Sequence, residues 1–133
     1  MSWDILVLNS TLPVDFERGE WADFNSKQGV VASISKTFPE SQWLDASWGT
    51  LDHYEANIEF NLGSAAQIGN NFMLHVRGGQ DPVGAISRMC KQHGWIAYDM
   101  ATDAFIGIEA PSSQGFERWQ AYRNHVMPSK MPE

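Results

Sequence analysis

Tyr54-Glu55-Ala56-Asn57-Ile58-Glu59-Phe60-Asn61-Leu62 and Asn71-Phe72-Met73-Leu74-His75-Val76-Arg77-Gly78 decide the fold. In the first run Tyr54, Ala56, Ile58, Phe60 and Leu62 alternate with Glu55, Asn57, Glu59 and Asn61. In the second, Phe72, Leu74 and Val76 alternate with Met73, His75 and Arg77. A period of two sends successive side chains to opposite sides of a strand, so each run predicts one buried face and one wet face. The segment between them contains glycine and serine, and the pair reads as an antiparallel hairpin. Its apolar side, with Ile58, Phe60, Phe72 and Leu74, predicts the core.

Gly78-Gly79-Gln80-Asp81-Pro82 follows the hairpin and starts a helix, with Asp81 as N-cap and Pro82 at the first helical position. Val83, Ile86, Met89 and Cys90 form its apolar stripe, and Gly94 is its stop signal. Ile86 and Met89 are expected to meet the hairpin. Upstream, Val30, Val31, Ile34 and Phe38 give helical spacing over Ser26–Thr37, closed by Pro39. Residues 40 to 53 show no clear period. Ser2 to Asn9 reads as a strand covered on both faces, and residues 10 to 25 as a long loop. Trp95–Met100 and Ala104–Glu109 predict two strands around Ala101-Thr102-Asp103. A last helix opens at Pro111-Ser112-Ser113, with Phe116, Trp119, Tyr122 or Arg123, and Val126 on its apolar side.

The predicted order is β-α-β-β-α-β-β-α. It implies an α+β fold with a mainly antiparallel sheet of about five strands and two to three helices on one face. The arrangement resembles a split β-α-β unit with an added hairpin strand and helix. Residues 1–126 are expected to form a single domain, and residues 127–133, with two prolines, a flexible tail.

With 133 residues, 43% hydrophobic and 19% charged, the composition excludes a disordered chain. No apolar run approaches the roughly 18 residues of a membrane helix. The N-terminus lacks the pattern of a signal peptide, so a cytoplasmic protein is expected. A single cysteine excludes an internal disulfide and a Cys-rich zinc site. The net charge of −7 makes a general nucleic-acid binder a poor expectation. The charge is unevenly placed. Residues 1–62 hold ten acids against Arg18, Lys27 and Lys36, whereas residues 63–133 hold six of each sign.

Chemistry-bearing patterns are sparse. His53, His75, His93 and His125 have no metal-ligand spacing. His93, beside Gly94, reads as a last-turn cation on the helix dipole. Cys90 lies on an apolar stripe and reads as a structural thiol. No nucleophile elbow or Ser-His-Asp order occurs. No catalytic residue, metal site or cofactor is therefore expected. Two groupings stand out. His75, Arg77, Gly78 and Gly79, with Glu59 across the hairpin, are candidates for an anion or small ligand at a strand-to-helix turn. Against this, Asp81 can cap the same amides, and a tight turn accounts for the glycines. Asp15, Glu17, Glu20, Trp21 and Asp23 interleave acids with aromatics in the long loop. Such aromatics fold back as a lid on the core or meet a partner.

Several segments resemble a family of small bacterial proteins of unknown function that begin Met-Ser-Trp-Asp. They are Met1-Ser2-Trp3-Asp4-Ile5, Ser47-Trp48-Gly49, Ile58-Glu59-Phe60-Asn61-Leu62-Gly63 and Leu74-His75-Val76-Arg77-Gly78-Gly79. The resemblance runs through residues 1–105, with Gln80 where the family often has aspartate. It implies a bacterial, cytoplasmic protein and carries no activity or catalytic residues.

The function expected from these residues is a small acidic, non-enzymatic binding protein. Its most concrete form is an immunity-type inhibitor that neutralises a bacterial toxin, with a basic protein as partner and neither nucleic acid nor membrane. The alternatives are a small-ligand or anion-binding domain, enzymes included, at the Arg77 turn and polar sheet face, and a scaffold subunit.

Overall fold

The computed structural model describes residues 2–107 and 114–126. Its elements run β1 (Trp3–Leu8), α1 (Lys27–Thr37), β2 (Gln42–Asp45), β3 (Trp48–Asp52), β4 (Asn57–Asn61), β5 (Asn71–Gly78), α2 (Pro82–His93), β6 (Ile96–Asp99), β7 (Ala104–Ile106) and α3 (Gln114–Val126). The strands form one sheet in the order β2-β3-β4-β5-β1-β6-β7. Every neighbouring pair is antiparallel. The class is α+β, as the alternating patterns imply.

The sheet has seven strands rather than about five. The two missed strands are the β2–β3 hairpin, drawn from the stretch that shows no clear period. A register shift between Trp43 and Asp45 interrupts its alternation. Gly49 is buried there without an apolar side chain, beneath the Trp43 ring. The observed order is therefore β-α-β-β-β-β-α-β-β-α. Tyr54 is a second correction, since it is 77% exposed and lies ahead of β4 instead of pointing into the core. β1 is covered on both faces only at its end. Trp3, Ile5, Val7 and Leu8 are buried, while Asp4 and Leu6 are half-buried. The last predicted strand ends at Ile106, and the tail at 127–133 and the opening at 111–113 lie outside the described residues.

The core forms between one face of the sheet and the helices. Trp3, Ile5, Val7, Leu51, Ile58, Phe60, Phe72, Leu74 and Val76 join Val30 and Ile34 of α1 and Val83, Ile86 and Met89 of α2 in a single buried cluster. From α3, Phe116 packs on Trp3 at 5.4 Å between ring centres. The helix ends match their signals. The Ser26 side chain accepts from Gly29 N, Asp81 accepts from Gly84 N, and Gly94 takes the left-handed conformation that stops α2.

The second face of the sheet is divided. Over β1 and β6 the loop before α1 lies across it, and Leu8 and Ile96 are buried there. Over β3, β4 and β5 the outward side chains are Trp48, Thr50, Glu59, Asn61, Met73, His75 and Arg77, all half-buried or exposed.

Candidate functional site

The acidic-aromatic loop is held from within. Phe24 is buried against Phe72 and Trp95, each at 5.4 Å. Phe16 stacks on Phe105 with the rings 7° from parallel, and meets Tyr98 at 4.8 Å. Trp21 packs edge-on against Phe16, and its Nε1 donates to the Asn70 carbonyl at 2.8 Å. Backbone ties complete the loop. Phe24 N donates to Gly69 O at 2.8 Å, and Asn9 Nδ2 donates to Asp23 O at 2.9 Å. Asp15 closes a turn by accepting from Glu17 N with its side chain and from Arg18 N and Gly19 N with its carbonyl.

The aromatics of this loop therefore act as a lid. Trp21 is half-buried, and its indole is committed to the loop's own anchoring. Asp15, Glu17, Glu20 and Asp23 face solvent. Among the described residues only Glu20 of these four has a basic neighbour in ion-pair range, Arg18 at 3.8 Å, with both side chains more than 70% exposed. A pair so open to water contributes little. What remains is four carboxylates presented on a fixed frame.

The second candidate group lies on the open sheet face. Glu59 and His75 are cross-strand neighbours in the register, but they do not bond to each other. Glu59 accepts from Arg77 at 2.8 Å. His75 bridges Asp4 through Nδ1 at 2.8 Å and Asn61 through Nε2 at 3.2 Å, with Trp48 stacked 5.9 Å away. A neutral ring with its proton on Nδ1 satisfies both bonds: Nδ1–H donates to the carboxylate and Nε2 accepts from the amide. Ser2 Oγ donates to the same Asp4 oxygen.

Gly79 is pressed against the backbone of Glu55 and Ala56. Gly79 has φ +126°, and a Cβ there would lie 2.4 Å from the Glu55 carbonyl oxygen. Only glycine fits that close approach. Gln80 N donates to Tyr54 O and Asp81 N to Glu55 O, so these amides are engaged. The Asp81 carboxylate occupies the start of α2. The Arg77 carbonyl accepts from Arg123 of α3.

Other polar groups escaped sequence reasoning because their partners are distant in the chain. Lys27 is buried, and its Nζ donates to Ser47 Oγ and to Gly63 O, both at 2.7 Å. It ties the start of α1 to the β2–β3 turn and to the end of β4. Asp99 is 3% exposed, and its Oδ1 accepts from Trp3 Nε1 at 3.0 Å and Ala101 N at 2.9 Å. Both groups read as structural braces. Burial pushes the Cys90 thiol up to about 12, which leaves it protonated and unreactive at neutral pH. His93 departs from the expected helix-end cation. Desolvation lowers its pKa below the ordinary 6.5, and its Nε2 lies 2.8 Å from Thr37 Oγ1. Among the described residues no group of three or more His, Cys, Asp or Glu side chains is placed to hold a metal. No described helix is long and apolar enough to cross a membrane.

No protein-family model matches the chain, and neither a characterised protein nor a solved structure is similar enough to match it.

Proposed function

We propose that this chain is a non-enzymatic binding protein that neutralises a basic protein, in the manner of an immunity-type inhibitor of a bacterial toxin. One observation carries the reading. Asp15, Glu17, Glu20 and Asp23 project from a loop whose aromatics pin it to β6, β7 and the core. A frame ordered before contact lowers the entropic cost of binding, and a field of one sign speeds the approach of an opposite charge. The half-buried Trp21 anchors the loop through its Nε1 and leaves part of its ring beside the four acids as the apolar part of the contact.

The test is growth rescue. Each gene flanking the coding sequence is expressed alone and together with this protein. One flanking product is expected to be basic and to arrest growth, and co-expression is expected to restore it. Reversing all four loop acids to lysine should slow association several-fold and flatten its dependence on salt, since exposed charges are screened within about 8 Å at physiological ionic strength. Flanking products that are all harmless, or rescue that survives the reversal with unchanged association, would overturn the reading.

A further inference from the structure

We propose that the free edge of β2 takes up an extended, lysine- or arginine-bearing segment of the partner as an eighth strand. This deepens the basic-partner reading and rests on it for the sign of the partner's charge. β2 pairs with β3 on one side, and among the described residues no strand lies on its other side. The backbone N–H and C=O groups along such an edge are a template for another chain. Leu44, in the middle of the strand, is 85% exposed.

Natural edges are blunted by lysine, by proline within the strand or by a covering element. Here the strand carries no lysine or proline, and no described strand covers it; its four-residue length and the register shift at Trp43 and Asp45 limit the template to a short stretch. No lysine or arginine occurs between Lys36 and Arg77, while Glu40, Asp45 and Asp52 all fall in that interval. Asp52 lies two residues along β3 from Thr50, the partner of Gln42. The edge is thus acidic at both of its ends.

The edge is also rigid. The Trp43 ring stacks on Phe60 at 5.6 Å and occupies the space over Gly49, where a Cβ would come within 2.5 Å of it. The turn behind it is fixed by Lys27 on Ser47 and by Leu62 N on Ser47 O. A second copy of this chain would set Glu40, Asp45 and Asp52 against themselves, which cross-strand like charges disfavour. An alternating basic and apolar strand satisfies the acids, Leu44 and the backbone together.

The experiment titrates isotope-labelled protein with a ten-residue peptide alternating lysine and valine, followed by amide chemical shifts. Shifts are expected to concentrate at Gln42–Asp45. Methylating alternate peptide nitrogens, or replacing the lysines with glutamate, should weaken binding by roughly tenfold or more, because main-chain bonds and charge each contribute. Leu44→Lys, at an exposed position that leaves the fold intact, should weaken it similarly. Shifts centred on Asp15–Asp23, or equal binding of the methylated peptide, would show attraction by charge alone and overturn the proposal. Growth rescue that is lost on reversing the loop acids but kept in Leu44→Lys would overturn the edge while leaving the binding function in place. Peptide addition at β2 with no toxic flanking product would support the edge and defeat the toxin reading.

Discussion

The two ends of the sheet solve the same problem in opposite ways. At the β7 end, Phe16 is laid on Tyr98 and Phe105, and Leu8 and Ile96 are sealed beneath the loop before α1. At the β2 end, Trp43 seals the inner side against Phe60, while Leu44 is exposed and no described strand pairs with the outer backbone. Both ends are acidic, yet the acids sit differently. On the loop they crown a covered face of the sheet, whereas around β2 they flank a bare edge. Where aromatic residues are placed therefore decides which face is sealed at each end: the outer one over β6 and β7, the inner one at β2.

Substitutions sharpen or break this contrast. The largest effect is expected at the shared centre, where Leu74→Ala removes a fully buried side chain and should cost about 2–5 kcal/mol in denaturant unfolding. A loss below about half a kcal/mol would mean that the helices do not pack on that face. Trp43→Ala tests the inner seal of the bare end, and should cost about 2 kcal/mol because the indole is only partly buried. Phe16→Ala strips the covering of the other end. With Phe16 42% exposed, about 1 kcal/mol is expected, together with faster amide exchange at Ala104–Ile106.

His93 gives a smaller, pH-dependent term. Its folded-state pKa lies below 6.5, so below that pH the unfolded chain binds more protons than the native one. Its contribution is complete above the unfolded pKa and is lost as pH falls through 6.5 toward the folded value. His93→Gln should flatten the rise of stability with pH in that window, and an unchanged slope would remove His93 from the balance. Leu44→Ser is expected to change stability by less than about 0.5 kcal/mol. A larger loss would show that the β2 edge is covered after all and would erase the contrast between the ends.

How much of this was legible depends on the distance over which each residue finds its partner. β5 could be read residue by residue, because its alternation is local and unbroken from Asn71 to Gly78. The caps of α2 were legible for the same reason, since Asp81 and Gly94 act within one turn. β2 and β3 were hidden because β2 contains a register shift and β3, though its burial alternates, puts a glycine on the inner side and a tryptophan on the outer. The acids and glycines of both candidate sites could be named from the sequence, but their bonds could not. Glu59 turns to Arg77 on the next strand, and His75 turns to Asp4, 71 residues away in the chain. The lid role of Phe16 depends on Tyr98 and Phe105, which no local pattern connects to it.

The strand order has a consequence for the way the chain assembles. β1 sits between β5 and β6, so its partners are residues 71–76 on one side and 96–99 on the other. The run from β2 to β5, by contrast, is a meander in which each strand pairs with the next. Short loops close at a lower entropic cost than long ones, and distant pairings slow folding. The meander is therefore expected to form first, with β1 entering last as the strand that joins it to the β6–β7 hairpin. Pulse-labelled hydrogen exchange should find the amides of β4 protected before those of β1, and the reverse order would refute this sequence of events. On this route the earliest structured species is the half of the sheet with the bare acidic edge, and that edge is available to a partner before the chain has finished folding.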